Sequence, residues 1–201
     1  MRTGFDNEKY QRIQSEHIKE RISRFDGKLY LELGGKLFDD HHASRVLPGF
    51  LPDSKLRMFQ KLSDSIEIVI VISATDIEKN KTRADLGITY DEDVLRLRGE
   101  FQHRGFMVGS VVITHYNGQP AAAAFRQRLE RDGIKTYCHY LIEGYPHNVA
   151  LIASDEGFGK NDYVETERPL VIVTAPGPGS GKMAVYLSQT YNEHRRGVRA
   201  R

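Results

Sequence analysis

The sequence predicts an α/β fold: a three-layer sandwich around a mainly parallel sheet, Rossmann-like or P-loop-like. Strand-like apolar runs alternate with amphipathic helical segments along most of the 201 residues, which is typical of parallel sheets covered by helices. The run 66–72 is almost wholly β-branched, as central parallel strands tend to be. Polar or glycine-rich runs follow the strands, where ligands bind in such sheets. These runs are 34–36, 73–76, 114–119, 154–161 and 174–182.

The first third of the chain is predicted to contribute two helices and two strands. Residues 6–25 place apolar side chains near helical spacing, with Asp6 as the N-cap. A strand over 28–33 follows. A second helix over 53–62 is expected because its apolar residues share a face, and the central strand over 66–72 comes next.

The rest of the chain continues the alternation. Pro120 is expected at the first turn of a helix, where its missing N–H is tolerated. The final helix is expected to bury one face, made of Met183, Ala184, Leu187, Ser188 and Tyr191. The remaining predicted elements are a helix over 91–104, a strand over 107–113, a helix over 120–131, strands over 134–141, 149–153 and 168–174, and a helix after residue 181.

Composition limits the function classes. The net charge of +2 argues against a dedicated nucleic-acid binder, and the basic run 194–201 is interpreted as a solvated tail. No apolar run is long enough to cross a membrane. The single cysteine, Cys138, excludes a disulfide framework and indicates a reducing compartment, so the cytoplasm is expected. We expect an N-terminal helix over 1–27 and one α/β domain over 28–201.

The run 174–183, Thr-Ala-Pro-Gly-Pro-Gly-Ser-Gly-Lys-Met, joins a buried strand to the start of a helix. Such a turn lets backbone N–H groups converge on an anion, and the helix N-terminus adds positive potential. The P-loop pattern is incomplete, since Pro176 replaces its first glycine and Met183 replaces its hydroxyl residue. The alternative is a tight corner that binds nothing. The predicted phosphate contacts are Gly177, Gly179, Ser180, Gly181 and Lys182.

Polar residues after the other strands are further candidates. Asp155 follows an apolar run, as does the carboxylate that holds magnesium in P-loop enzymes, and it is therefore the candidate metal ligand, with Asp76 as the alternative. ATP and magnesium are the candidate cofactors. Each of these runs is also compatible with an ordinary turn. The candidate ligand contacts outside the glycine-rich run are Gly34, Gly35, Asp39, Asp40, Arg45, Asp76 and Asp155.

Four segments resemble a bacterial family known only as a domain of unknown function. They are 34–40, 42–50, 85–91 and 174–183. The resemblance runs along the whole chain, and it implies the N-terminal part of a longer protein, whose missing C-terminal part is an expected partner. Some members carry the label ATP-dependent peptidase. The glycine-rich run agrees with the first half of that label, but no His-Glu-x-x-His motif or zinc-ligand spacing supports the second.

Three functions are therefore compatible with the sequence, and no catalytic residue is identified. The first is a domain that binds phosphate or a nucleotide, as part of an ATP-dependent enzyme. The second is an enzyme acting on a phosphorylated small metabolite through Asp39, Asp40 and Arg45. The third is a non-catalytic module that supports the C-terminal part or forms a homo-oligomer.

Overall fold

The computed structural model describes residues 4–32 and 45–201. Its strands are β1 (Leu29–Glu32), β2 (Ile66–Ser73), β3 (Met107–Tyr116), β4 (Thr136–Tyr140) and β5 (Leu170–Thr174). Its α-helices are α1 (Asn7–Arg24), α2 (Ser54–Gln60), α3 (Ala74–Glu78), α4 (Tyr90–His103), α5 (Pro120–Arg131), α6 (Val149–Ile152) and α7 (Lys182–Arg195). The strands form one sheet in the order β1-β5-β2-β3-β4, and every pair is parallel. The predicted α/β fold class is confirmed.

The central strand β2 divides the core into two halves because successive side chains of a strand point to opposite faces. Ile68, Ile70 and the other isoleucines of β2 belong to a large apolar cluster with side chains of α2, α3, α4 and α5. We call this side the first face. Val69 and Val71 belong to a smaller cluster that includes Val185 of α7, and this side is the second face. Helices therefore lie on both sides of the sheet.

The strand predicted over 149–153 is wrong. These residues form the short helix α6, and Val149 is 68% exposed. Asn148 caps the helix through its Oδ1, which accepts a hydrogen bond from the amide of Leu151 at 3.2 Å. A five-residue apolar run is ambiguous between a strand and a helix turn, and an asparagine N-cap favours the helix.

The predicted buried side of α7 is confirmed at Ser188, which is 1% exposed, but wrong at Met183 and Leu187. Met183 is 52% and Leu187 38% exposed, whereas Gln189 and Glu193 are buried. The reason is that the second face holds hydrogen-bond partners for polar side chains. Gln189, for example, donates from Nε2 to the carbonyl of Val164 at 2.5 Å and accepts from the amide of the same residue at 3.1 Å.

The C-terminal residues pair with the first strand. Asp6, at the other end of the described chain, caps α1 as predicted, accepting from the amide of Lys9 at 2.9 Å. The basic side chains of 194–201 are exposed, in agreement with a solvated segment, but the backbone of its last residues is not free, because the carbonyl of Arg201 accepts from the amide of Tyr30 at 2.9 Å and Lys28 pairs in parallel with Ala200. An edge strand leaves backbone amides without partners, and this segment provides a partner for the amide of Tyr30 in β1. Within residues 4–32 and 45–201, no helix has the length and apolar character needed to cross a bilayer.

Candidate functional site

The glycine-rich turn connects β5 to α7 at the carboxyl edge of the sheet. The first helical hydrogen bond of α7 runs from the amide of Val185 to the carbonyl of Gly181 at 3.0 Å. The amides of residues 179–184 donate no hydrogen bond to any group in the described part of the chain. Pro178, Gly179 and Met183 are exposed, so solvent reaches this row. Unpaired amides at a helix N-terminus form a positive end suited to an anion.

Contacts from two other elements fix the shape of the turn. Thr114, near the end of β3, donates from Oγ1 to the carbonyl of Ser180 at 2.6 Å. Gly181 adopts φ +86°, and a Cβ there would lie 3.2 Å from the Thr114 side chain. A Cβ on Gly177 would overlap the hydroxyl oxygen of Tyr90. The turn therefore requires glycine at both positions, one for its backbone angle and one for close packing.

Ser180 belongs to the turn, and its side chain is buried. The residue is 1% exposed, and its Oγ has no hydrogen-bond partner among the residues that the structure describes. A buried hydroxyl without a partner is destabilising, so the turn contains an unused polar group next to its unpaired amides.

Lys182, the predicted phosphate lysine, extends towards the end of β1. Its Nζ lies 3.9 Å from Oε1 of Glu32, and the two side chains are 18% and 25% exposed. The ammonium group is therefore at the turn but already has a carboxylate beside it. Its charge is partly balanced before any ligand arrives.

Asp76 lies on the same edge of the sheet as the turn. Lys81 connects the two, since its Nζ is 3.1 Å from Oδ1 of Asp76 and 4.8 Å from the centre of the Tyr90 ring, and Tyr90 packs on Gly177. The hydrogen bond from Lys81 to Asp76 raises the pKa of Lys81. Oδ2 of Asp76 is buried and has no partner within residues 4–32 and 45–201. The structure thus brings Asp76 to the predicted site together with a cation.

The structure does not bring Asp155 to the turn. Its Oδ1 pairs with Arg195 and accepts from the Tyr191 hydroxyl at 3.3 Å. Both partners belong to the last turns of α7, whose 14 residues span about 20 Å, whereas the glycine-rich turn is at the other end. In the described part of the chain, no group of three His, Cys, Asp or Glu residues could hold a metal ion.

The other predicted contacts do not add to this site. Arg45 is exposed. The glycines and aspartates predicted as contacts after β1 lie outside the described residues. They are Gly34, Gly35, Asp39 and Asp40.

A cavity of about 280 Å³ opens beside the turn. We call it the edge cavity. The turn, the start of α7 and the ends of β3 and β4 form its walls, and of the polar run 114–119 the residues Thr114 and His115, at the end of β3, line it. Its lining residues are Thr114, His115, His139, Tyr140, Leu141, Ile142, Tyr145, Asn161, Gly179, Gly181, Met183 and Ala184.

His115 lines the edge cavity and has an unusual backbone conformation. It has φ +52°, which is uncommon for a residue other than glycine. Its carbonyl accepts from Nε2 of Gln119 at 2.8 Å, and its Nδ1 lies 3.1 Å from Oγ of Ser73. The first contact holds the backbone of His115, and the second holds its ring. Strained residues of this kind are concentrated at functional sites, but a positive φ at histidine leaves no signal in the sequence.

His139 presents a fixed hydrogen-bond acceptor. The residue is 3% exposed, and its Nε2 lies 3.0 Å from the carbonyl oxygen of Asp162. Because a carbonyl can only accept, Nε2 carries the hydrogen, and burial lowers the pKa of the imidazole to about 4. Nδ1 therefore has a free lone pair, and it has no partner among the described residues. Sequence reasoning missed this residue because a histidine in an alternating strand looks like its exposed neighbours.

Cys138 lies on the side of β4 opposite His139. It is a buried free cysteine, as predicted. Burial raises the pKa of its thiol to about 11, although Nη1 of Arg126 lies 3.5 Å from Sγ. The thiol is protonated at neutral pH and unsuited to nucleophilic chemistry.

A family model described as "Domain of unknown function DUF1846, N-terminal" matches residues 3–201. The chain belongs to this family. A UPF0371 protein of Streptococcus pyogenes serotype M5 (strain Manfredo) is 55% identical over 197 residues, which are 98% of this chain and 40% of that protein. A UPF0371 protein of Streptococcus pneumoniae (strain CGSP14) is 54% identical over the same shares. The DUF1846 domain thus spans about two fifths of these relatives, and the predicted resemblance to a family of unknown function is confirmed.

The edge of this DUF1846 domain combines two kinds of surface. The turn offers one lysine and consecutive amides that lack an acceptor among the described residues. The adjoining edge cavity offers apolar side chains and two imidazoles. Such an arrangement can hold an anionic group on the amides while burying a neighbouring apolar group.

Proposed function

We propose that this DUF1846 domain binds a phosphate-bearing small molecule, with a nucleotide as the leading candidate, at the turn between β5 and α7. The observation that supports this most is the row of six amides over residues 179–184 that find no acceptor within residues 4–32 and 45–201. We further propose that the domain belongs to an ATP-dependent cytoplasmic enzyme, with its reaction centred on the rest of the longer protein.

Binding would rely on backbone groups more than on side chains. Gly177, Gly179 and Gly181 carry no Cβ, so phosphate oxygens can approach their amides closely. The unpartnered hydroxyl of Ser180 is a further donor. Lys182 contributes its ammonium group once a phosphate oxygen competes with Glu32 for it. These contacts explain why the departures from the P-loop pattern at Pro176 and Met183 need not abolish phosphate binding.

Magnesium is proposed to accompany a bound nucleotide. Asp76 is the carboxylate that fits this role, because its Oδ2 is buried without a partner in the described residues and it lies on the edge that carries the turn. It would hold the ion directly or through water. Asp155 is paired with Arg195 at the far end of α7.

Calorimetry tests the proposal. The full-length protein is titrated with orthophosphate, ATP and GTP, each with and without magnesium. We expect heat from at least one phosphate-bearing ligand, and Lys182→Ala should weaken its binding about tenfold because a charged contact is lost.

Lys160→Ala is the matched control, since Lys160 is an exposed lysine paired with Glu156 and outside the turn. It should leave the affinity unchanged. If none of the three ligands gives heat of binding, phosphate binding is refuted. If the two lysine variants change the affinity equally, Lys182 is not part of the site.

A further inference from the structure

The edge cavity has the character of a site for a small ring. Its volume of about 280 Å³ is close to the lower end of ligand pockets in proteins. Apolar and aromatic side chains form much of its wall, including Tyr140, Leu141, Tyr145 and Met183, and all four remain substantially exposed. Exposed apolar groups that line one cavity indicate a surface on which an apolar ligand gains stability by burial.

His139 adds an unsatisfied hydrogen-bond acceptor to this apolar wall. Its Nδ1 is an acceptor that no group in the described part of the chain satisfies, and the residue is only 3% exposed. Because His139 lines the edge cavity, a ligand there that donates an N–H or O–H to this atom would relieve an unfavourable state. This acceptor is independent of the helix N-terminus and itself points to a ligand.

The two features share a wall. Gly179 and Gly181 of the turn line the edge cavity, as do Met183 and Ala184 at the start of α7. These four residues are among those with unpaired amides in the described part of the chain. A phosphate held on the amides therefore leaves the rest of its molecule beside the cavity, whereas a bare phosphate leaves the cavity empty.

We infer that the ligand is a nucleoside phosphate or a similar phosphorylated compound whose ring occupies the edge cavity and donates a hydrogen bond to Nδ1 of His139. The inference rests on the proposed phosphate-binding function and names the ligand class of that site. The ring packs against Tyr140 and Met183, and the phosphate lies on the amides of the turn. The donor on the ring gives the site selectivity, because a ring without one leaves His139 unsatisfied.

The test compares ligands that share a phosphate but differ in the ring. The full-length protein is titrated with orthophosphate, ribose 5-phosphate, and the monophosphates of adenosine, guanosine, cytidine and uridine. At least one nucleoside monophosphate is expected to bind about tenfold more tightly than ribose 5-phosphate, because the ring adds apolar burial and a hydrogen bond.

Variants then locate the ring. Met183→Ala should weaken the best nucleoside monophosphate about fivefold, because it removes part of the apolar wall, and should leave orthophosphate binding unchanged, because the backbone amides stay. Leu187→Ala is the matched control. Leu187 lies one turn further along α7, is 38% exposed and does not line the edge cavity, so its truncation should change neither affinity.

The outcomes separate the two proposals. If ribose 5-phosphate binds as tightly as every nucleoside monophosphate, the ring site is refuted and phosphate binding stands. If Met183→Ala and Leu187→Ala behave alike towards the best nucleoside monophosphate, the edge cavity is not the ring site. If no ligand in the series binds, phosphate binding itself is refuted.

Discussion

The two faces of the sheet are stabilised by different chemistry. On the first face, the isoleucines of β2 pack against Phe59, Phe101 and Phe125 of the covering helices. On the second face, the apolar cluster is smaller, and buried polar groups lie around it. The first face depends on burial, which is non-directional, whereas the second depends on hydrogen bonds that require particular partners.

One network shows how the second face works. Glu193 of α7 is fully buried, and its Oε1 accepts from the Tyr30 hydroxyl at 2.7 Å and from Nζ of Lys28 at 3.0 Å. Glu67 of β2 is 1% exposed, and its Oε2 accepts from the amides of Glu167 and Arg168 at 2.6 and 3.2 Å. The edge cavity adjoins this face through His139. Among the described residues, the polar side of the sheet retains buried acceptors without a partner, including Oε2 of Glu193 and Nδ1 of His139.

The largest effect is expected on the first face. Phe101 is fully buried in the large cluster, so Phe101→Ala should lower the free energy of unfolding by about 4 kcal/mol through lost burial and a residual cavity. Urea denaturation measures it. Val149→Ala is the control, since Val149 is 68% exposed and its truncation should cost less than about 0.5 kcal/mol. A loss below about 2 kcal/mol for Phe101→Ala would mean that this face is not tightly packed.

Two glycines extend the comparison to backbone positions. A Cβ on Gly109 would overlap Oε1 of Glu67, whose other oxygen is tied to two amides. Gly109→Ala should therefore destabilise the domain by about 3 kcal/mol. A Cβ on Gly99 in α4 would meet no atom within 4 Å in the described part of the chain, so Gly99→Ala should stabilise by about 0.5 to 1 kcal/mol.

Thermal denaturation of both glycine variants provides the measurement. Melting temperatures that move in opposite directions support the distinction between a crowded second face and a relaxed helix surface. Equal shifts for the two variants would contradict it.

Removing the hydroxyl of Tyr30 tests the buried hydrogen-bond network around Glu193. Burial, together with Glu193, raises the pKa of Tyr30, so the phenol stays protonated and donates. Tyr30→Phe should cost about 2 kcal/mol, because Glu193 loses a charged hydrogen bond inside the protein. Tyr186 packs edge-on against Tyr30 with ring centres 6.4 Å apart, and Tyr186→Phe is the control because it keeps that ring. Comparable losses in both variants would show that the hydrogen bond to Glu193 is not what stabilises this face.

The last prediction on the second face is a dependence of stability on pH. The pKa of His139 is lowered to about 4 in the folded state, against about 6.5 in the unfolded chain. The unfolded state therefore binds the proton first, and stability is complete above pH 6.5 and falls as the pH drops towards 4. Between pH 7 and 5 this histidine should account for a loss of about 1 to 2 kcal/mol.

His139→Gln isolates that contribution, because glutamine retains an N–H for the carbonyl of Asp162 but does not titrate. Urea denaturation at pH 7, 6 and 5 should give a shallower decline for the variant than for the natural protein. Parallel declines would mean that His139 is not buried in its neutral form.

The sequence reveals the first face better than the second. The β-branched run of β2, Pro120 at the start of α5 and the glycine-rich turn are local signals, and the structure has a strand, a helix and a turn there. The predicted buried side of α7 is wrong at Met183 and Leu187, because Gln189 and Glu193 are buried instead. These two polar side chains find partners at Val164 and Tyr30, which are far away in sequence. Hydrogen bonds of this kind depend on the finished fold, so no periodicity indicates them.

The candidate site likewise has some features that are visible in the sequence and others that depend on the finished fold. Glycines followed by a lysine at a strand-to-helix turn are visible in the sequence, and so is their common edge with Asp76. The edge cavity depends on loops that meet only after folding, and the unpaired Nδ1 of His139 depends on a backbone carbonyl at Asp162. Asp155 follows an apolar run, as a metal-holding carboxylate would, but that run is a helix and leads to the opposite end of α7.

If a phosphate binds the turn as proposed, the ion pair between Lys182 and Glu32 makes its arrival an exchange of counter-charges. The anion would draw the ammonium group towards the amides and away from Glu32, whose Oε2 already has no partner among the described residues. On that proposal, the end of β1 would respond to whether the turn is occupied.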